Sequence, residues 1–514
     1  MLFHSEPGCE IHQGDAREVM AGLEPESVDC CVTSPPYWGL RRYSNDQDTI
    51  WGGEQDCEHT WAGEFRPNTK VGKQGMTETD KWPNVVNDSK PEPSQFCTRC
   101  GAWRGGFGLE PTIEMYISHT LEYLRAIRRV LKSTGTLYLN LGDSYASSPP
   151  GNKQEIIRWQ HGNKSEAGMI DAVRRSTITD GLKPLDLCGI PHRVALAAQA
   201  DGWYWRSMII WNKPNPMPES VAGWRWERHK VKVGNRGRTQ ARKPGMQDHS
   251  GNTVISDAIW QDCPGCSKCD QNDGLVLRKG SWRPTSSHDY ILMLTKTADY
   301  YGDGESVREP HSPNTHARGK NGVMGSGVKA KIDPNKIGAW NKWMKDKPQI
   351  PNPAGRNLRS VWTFPTAPYP GAHFATFPKE LVRRCILAST SDKGNCPKCG
   401  MPWARVSASH IEYSQNIHNH PKYPTGQFGH QAANRHRDGH IPGNKVVETL
   451  SWRPTCKCGL DPVPAVILDP FSGTGTALAV AKSLGRHSIG IDISPDYCAM
   501  ARRRIESITR PMEV

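Results

Sequence analysis

Val28-Asp-Cys-Cys-Val-Thr-Ser-Pro-Pro-Tyr-Trp38 is the stretch on which the reading of this chain turns. Val28 to Thr33 is a run of β-favouring residues, and Ser34-Pro35-Pro36-Tyr37 ends it. Two successive prolines fix φ and remove two N–H donors, so no ladder continues through them. The strand therefore gives way to a stiff turn offering hydroxyl and carbonyl acceptors beside an aromatic ring. Such a cluster suits a flat ligand that donates hydrogen bonds, such as the amino group of a nucleobase. Taken alone, the turn reads equally well as a structural bend after a buried strand. A second stretch, far along the chain, breaks the tie.

That stretch is Asp469-Pro470-Phe471-Ser472-Gly473-Thr-Gly475-Thr476, which joins a strand (466–469) to a helix (477–484), with Asp492 closing the next strand. Gly473 and Gly475 let the backbone approach a ligand at the helix start, and a carboxylate roughly 20 residues on is placed for ribose hydroxyls. A dinucleotide site wants a third small residue where Leu478 stands, and Asp469 would repel its phosphates. Asp469 would instead welcome an ammonium. These features favour S-adenosyl-L-methionine, which carries an ammonium, a ribose and an adenine but no phosphate.

Between these two stretches, strands alternate with helices. Strand segments near 9–15, 28–33, 136–141, 203–211, 290–295, 466–469 and 487–492 predict a mainly parallel, seven-stranded sheet covered on both faces. Helices are expected at 16–23, from Pro111 with Ile117, Leu121, Leu124, Ile127 and Leu131 on the apolar face, at 191–200, 377–387, 477–484 and 495–508. The segments 38–110, 219–282 and 297–360 are polar and loop-rich, and break the alternation. The chain has 514 residues and a net charge of +13, which favours a polyanionic partner. No apolar run approaches membrane-spanning length, and the start lacks a signal peptide's basic and apolar regions. A cytoplasmic protein is expected, with its 16 cysteines reduced.

The chain resembles the exocyclic-amino DNA methyltransferases, which methylate cytosine at N4 or adenine at N6. The matching stretches are Gly14-Asp15, Thr33 to Trp38, Gly135 to Asp143, Ile209 to Pro214, His288 to Thr295, Phe377-Pro378 and Asp469 to Thr476. Their order resembles the permuted group in which the Pro-Pro-Tyr half comes first. The resemblance implies a circularly permuted, Rossmann-like class I methyltransferase, and the cysteine pairs within its insertions add the expectation that these are zinc-stapled. Residues 1–37 and 111–295 would form the catalytic half with an insertion at 219–282, and 38–110 a zinc-binding insertion. Target recognition would fall in 297–365, the cofactor half in 366–389 and 464–514, and a second zinc-binding insertion in 390–463. It also implies that Asp15 meets the cofactor's adenine, Asp469 its ammonium and Asp492 its ribose, with Phe377 and Phe471 lining the pocket. Pairing with a restriction endonuclease is common in this family.

The chemistry expected at Ser34–Tyr37 is direct transfer. An aromatic amine is a poor nucleophile because its lone pair is delocalised. Ser34 Oγ and the Pro35 carbonyl, by accepting its two N–H bonds, would draw the nitrogen toward tetrahedral geometry. No nucleophilic cysteine is needed, so Cys30 and Cys31 read as buried strand residues. The base must leave the duplex, and Tyr37 would stack on it. In the family that the chain resembles, serine rather than aspartate before Pro-Pro-Tyr is more typical of the cytosine-N4 members, so the resemblance implies cytosine N4 over adenine N6. A rival of another class is a zinc-containing DNA-binding protein without catalysis.

Cys57, His59, Cys97 and Cys100 have zinc-ligand chemistry, as do Cys396, Cys399, Cys456 and Cys458, and two structural zinc ions are expected. Cys263, Cys266 and Cys269 form a third cluster whose fourth ligand is not evident: His249 and a nearby aspartate are candidates, and the alternative is that the three bind nothing. Basic runs at 224–246 and 320–347 are either solvated faces or phosphate contacts with double-stranded DNA.

Overall fold

The computed structural model describes residues 1–39, 48–54, 56–63, 93–146, 181–216, 218–219, 221–239, 254–310, 355–366, 378–413 and 443–509. Nine strands form one sheet: β1 (Leu2–Glu6), β2 (Cys9–Gln13), β3 (Val28–Thr33), β4 (Leu131–Leu141), β5 (Tyr204–Asn212), β6 (His288–Thr295), β7 (Val361–Thr363), β8 (Val466–Asp469) and β9 (His487–Asp492). Their spatial order is β1-β2-β9-β8-β3-β4-β6-β5-β7. The seven expected strands are all present, and the count of seven is corrected by β1 and β7 at the two edges. Edge strands this short and partly exposed, five and three residues long, are too brief for a period to be read.

From β2 through β9, β8 and β3 to β4 the strands run parallel, whereas β6 is antiparallel to β4. The central strands are buried on both faces and alternate between two cores. In β3, Val28 and Cys31 enter one core while Cys30 and Val32 enter the other; β8 divides Leu468 and Ile467 in the same way. The first core is closed by α1 (Ala16–Gly22), α2 (Ile113–Val130) and α3 (Ile190–Ala200). The second is closed by α4 (Lys379–Ser389) and α5 (Thr476–Ser483), and α6 (Pro495–Glu506) packs beside α5 and β2.

Helix α2 shows how far periodicity reaches. Thr112 caps it, its hydroxyl accepting from Met115 N at 3.2 Å. The buried stripe runs through Tyr116, Thr120, Tyr123, Leu124, Ile127 and Val130, rather than through Ile117 and Leu121, which lie at its margin. Leu131, expected on the helix, instead begins β4. Tyrosine and threonine in the stripe had masked its true centre.

Because β2, β9, β8, β3 and β4 are parallel, their carboxyl ends share one edge of the sheet. That is where α/β sheets bind ligands. The edge carries Gly14-Asp15, Asp492, Asp469, Ser34 and Asn140. Asp29 aligns the two central strands: it accepts from Val466 N at 2.8 Å and from Lys132 Nζ at 2.7 Å.

Antiparallel ladders close the necks of the excursions. Strands 48–51, 61–63, 93–97 and 103–106 make a four-stranded sheet, and Trp403–Tyr413 pairs with Gly443–Pro454. The segment 311–354, which contains the second basic run and most of the expected recognition region, lies outside the described residues. Its flanks meet in a bridge between Glu309 and Arg356, whose backbone hydrogen bonds measure 3.0 and 2.8 Å. The chain divides into two compact units, Met1–Lys213 with Asp289–Val514, and Pro214–His288. In the second, Arg225–Arg228 pairs with Leu275–Arg278, and Lys230–Thr239 pairs with Val254–Asp262. Among the described residues, no helix is long and apolar enough to cross a membrane.

Candidate active site

The Pro-Pro turn leaves β3 as the sequence requires, and its ring is held from behind. Gly142 leaves room for Tyr37: a Cβ there would stand 2.6 Å from Tyr37 Cε2. Tyr116 donates its hydroxyl proton to the Pro36 carbonyl at 3.0 Å. Trp38 is buried, and its indole N–H donates to the Glu110 carbonyl at 2.9 Å, so this ring is packing rather than a surface for a base. Cys30 and Cys31 are fully buried and burial pushes both thiols up, which excludes a resting thiolate nucleophile.

At the mouth of the turn lies a polar network. Asn140 Nδ2 donates to the Tyr37 hydroxyl oxygen at 2.9 Å, and that hydroxyl donates to Asp289 Oδ2 at 3.3 Å. Lys213 Nζ pairs with the same Asp289 oxygen at 2.6 Å. Ser34 Oγ directs its proton to Tyr37 at 3.3 Å or to the Asn140 carbonyl at 3.4 Å and accepts from Asn140 Nδ2 at 3.4 Å, which leaves one lone pair for an incoming donor. Asn140 Oδ1 is buried without a hydrogen-bond partner, an acceptor held ready in the same network. Asn140, Lys213 and Asp289 are functional candidates that sequence reasoning missed. The signal for Asn140 was an amide inside the apolar run Leu137-Tyr-Leu-Asn-Leu141; the other two adjoin the borders of an excursion, where charge is unremarkable.

The glycine-rich loop stands directly beside this turn. Thr33, the residue before Ser34, donates its hydroxyl proton to Asp469 Oδ1 at 2.7 Å across the β3–β8 boundary. Phe471 N donates to the same oxygen at 3.2 Å, while Asp469 Oδ2 and Ser472 Oγ are buried and unpartnered. Burial raises the Asp469 carboxyl to about 7, helped by the charge of Asp492, and burial raises Asp492 to about 6. Asp492 accepts from Gly473 N at 2.9 Å and from Ser494 N at 2.9 Å. Gly473 and Gly475 have φ of +49° and +73°, the left-handed region, and a Cβ on Gly475 would lie 2.9 Å from Ala501 Cβ in α6.

These groups fit an amino-acid cofactor. A desolvated carboxylate with one oxygen unpaired is a site for a cation, and an ammonium is what would pair it. Gly14 N donates to the Asp492 carbonyl at 3.0 Å, which brings Asp15 to the same edge. The Asp15 carboxylate is itself gripped by Arg17 at 2.7 Å, and Arg17 lies 3.7 Å over the Trp51 ring. Phe471 packs edge-on to Tyr123, with centroids 4.8 Å apart, and Pro470 is buried beneath the loop. Thr476 faces α6, its hydroxyl accepting from Arg504 at 2.8 Å, so the structure gives it a structural partner rather than a place at the edge. Phe377 lies outside the described residues.

The cysteine spacings converge as tetrads. Cys57, His59, Cys97 and Cys100 bring their ligand atoms together, as do Cys396, Cys399, Cys456 and Cys458, all within 4.8 Å of one another in each group. Cys100 Sγ is 3.3 Å from His59 Nδ1, and Cys399 Sγ is 3.7 Å from Cys458 Sγ. The ligands of a tetrahedral zinc stand roughly 3.5–3.8 Å apart, given its bond lengths. Among the described residues, His229 joins Cys263, Cys266 and Cys269 as a fourth ligand-type side chain and no aspartate does; the other candidate, His249, lies outside the described residues.

The sequence profile of the DNA methylase family, the N6/N4 methyltransferases, matches residues 28–396 and 461–503. Among curated proteins, the chain is similar to type II methyltransferase M.SmaI of Serratia marcescens, 28% identical with 97% of this chain and 90% of that protein covered. It is also similar to type II methyltransferase M.Cfr9I of Citrobacter freundii, 26% identical with 98% and 91% covered. Among solved structures it is similar to the cytosine-N4-specific PvuII DNA methyltransferase, 11% identical with a TM-score of 0.39 over 98% of this chain and 89% of that one.

Proposed function

The chain belongs to the DNA methylase family of N6/N4 methyltransferases, and from that premise we propose that it methylates the exocyclic amine of a base flipped out of duplex DNA, cytosine N4 in preference to adenine N6. The methyl donor in this reading is S-adenosyl-L-methionine. When bound, its sulfonium supplies the electrophilic methyl group. The observation that carries the reading is the Thr33–Asp469 hydrogen bond, 2.7 Å long, because it sets the acceptor turn and the ammonium-accepting loop side by side.

The protein's own groups divide the work. Asp469 Oδ2 would pair with the cofactor's ammonium, Asp492 would take the ribose, and Phe471 with Asp15 would border the adenine. Ser34 Oγ and the Pro35 carbonyl would accept the two amine protons, with Asn140 Oδ1 as a further acceptor. Tyr37 would stack on the base, its hydroxyl anchored by Asn140 and Asp289. Positioned acceptors of this kind lower the barrier by orientation and preorganised dipoles. No general base with a shifted pKa is needed to begin. As the nitrogen takes the methyl group, the donor would leave as a neutral thioether, keeping the electron pair of the broken sulfur–carbon bond. The nitrogen would then give one proton to water.

The order of the halves, with the Ser34 half before the Asp469 half, supports a circularly permuted class I arrangement. Target reading is assigned to 297–365 by the same family order. The type II names of its relatives support a role in modification beside a restriction endonuclease. Two zinc ions are assigned as structural staples, one to Cys57, His59, Cys97 and Cys100, the other to Cys396, Cys399, Cys456 and Cys458.

The test is a pair of variants. Ser34→Ala and Tyr37→Ala should each lower methyl transfer about 100-fold or more while titration calorimetry finds cofactor affinity unchanged within about twofold. Full activity in both would remove the assignment of this turn. Absence of cofactor binding by the unaltered protein would favour the rival of a DNA-binding protein without catalysis.

A further inference from the structure

The unit Pro214–His288 lacks what normally holds a domain together. Among its described residues, Cys269 is the one buried member of the apolar set, whereas Trp224, Trp226, Trp260 and Trp282 are 67, 52, 58 and 73% exposed. Two short antiparallel pairs cannot hold a fold on their own ladders. At their junction stand four ligand-type side chains. His229 occupies the single position between the strands Arg225–Arg228 and Lys230–Thr239. Cys263, Cys266 and Cys269 occupy the return path between Val254–Asp262 and Leu275–Arg278.

We propose that His229, Cys263, Cys266 and Cys269 bind a third zinc ion, and that this ion is the core of the unit. His229 Nδ1 lies 3.3 Å from Cys266 Sγ and 3.4 Å from Cys269 Sγ, and the two sulfurs are 3.7 Å apart. Those separations are near the edges of a zinc tetrahedron. The backbone is shaped for it: Cys269 N and Asp270 N both donate to the Cys266 carbonyl at 2.9 Å, and Cys263 N donates to the His229 carbonyl at 2.7 Å. Each paired strand set thus has one strand entering from His229 and one joined to the cysteine segment, so a single ion fastens both.

A separate observation concerns what the unit presents. It holds twelve Lys and Arg against seven Asp and Glu, and among the described residues a lysine stands beside two of its exposed indoles. Lys279 Nζ lies 4.8 Å from the centre of the Trp224 ring, Lys232 is paired across the ladder with Trp260, and Trp226 is paired with Leu277. Aromatic surface interleaved with cations matches a phosphate–sugar backbone. We infer that this face contacts duplex DNA, an inference that rests on the methyltransferase reading for its biological sense but is measured without it.

Elemental analysis of the full chain should find three zinc ions, with Cys266→Ser reducing the count to two and opening 214–288 to protease. His229→Cys, with Cys266 intact, should keep three, since a four-cysteine site serves zinc equally. Two ions in the unaltered protein, with none lost in Cys266→Ser, would overturn the site; should Cys266→Ser prove insoluble, the unaltered count and His229→Cys decide. For the DNA face, Trp224→Ala/Trp226→Ala should weaken binding to a fluorescent random-sequence duplex about tenfold with the zinc count unchanged. Unchanged affinity would overturn it, and unchanged affinity with loss of a dimer would assign the face to a second copy. Duplex binding without any methyl transfer would reject the proposed function and leave this inference standing.

Discussion

The nine-stranded unit and the unit Pro214–His288 are held together by different physics. In the first, Leu137, Leu139 and Leu141 of β4 are buried among helices on one face, and Tyr138 among others on the opposite face. Among the described residues of the second there is almost nothing apolar inside and a great deal outside. A chain that cannot exclude water from its own side chains must fix its backbone another way, and ligands to a metal do so with four residues. The difference also separates two uses of tryptophan. Trp103 and Trp211 are buried supports, whereas Trp224 and Trp282 stand in solvent.

That contrast can be broken by substitution. Leu137→Ala should destabilise the nine-stranded unit by about 2–5 kcal/mol in denaturant unfolding, because a fully buried leucine leaves a cavity. A loss under about 1 kcal/mol would mean that its core is looser than the burial indicates. Next in size, Asp469→Asn should weaken cofactor binding about 100-fold by removing the charge that faces the ammonium. The same change should raise thermal stability at pH 8. The sign comes from proton binding: between the ordinary carboxylate range and about 7, the folded Asp469 holds a proton that the unfolded chain has lost. Stability contributed by this group therefore falls as pH rises through that window, and the asparagine escapes the fall.

For the unaltered protein, cofactor affinity should drop about tenfold per pH unit below 7, and more steeply below 6 where Asp492 also protonates. A flat profile by calorimetry between pH 5.5 and 8 would separate Asp469 from the ammonium. The smallest effect expected is Trp226→Ala on stability, within about 0.5 kcal/mol, since the ring is half in water. A large loss would show that the exposed tryptophans are structural after all.

Much of the nine-stranded unit was legible because period and punctuation agree there. The Pro-Pro turn, the glycine-rich loop and the alternating strands each predict the same edge of the same sheet, and the structure brings Ser34, Asp469, Asp492 and Asp15 to it. The edge strands escaped because short, half-exposed strands are too brief for a period to be read. Asn140 and Asp289 escaped because a role in a network is set by neighbours distant in sequence, 103 and 252 residues from Tyr37. His229 escaped for a similar reason: cysteine spacing is local, but its partner lies 37 residues before Cys266 and is delivered only by the ladders between them. Thr476 was read as part of the ligand loop because it is contiguous with it, and the hydrogen bond that its hydroxyl accepts from Arg504, 28 residues on, was not legible in that contiguity.

The measurement that tests the central claim most directly is mass spectrometry of nucleosides from duplex DNA incubated with this protein and S-adenosyl-L-methionine. The expected product is N4-methylcytosine, absent when Ser34→Ala replaces the unaltered chain. N6-methyladenine would keep the chemistry of the turn and overturn the choice of base. Duplex DNA of varied sequence that gains no methyl group, from a protein that binds the cofactor, would contradict the methyltransferase reading.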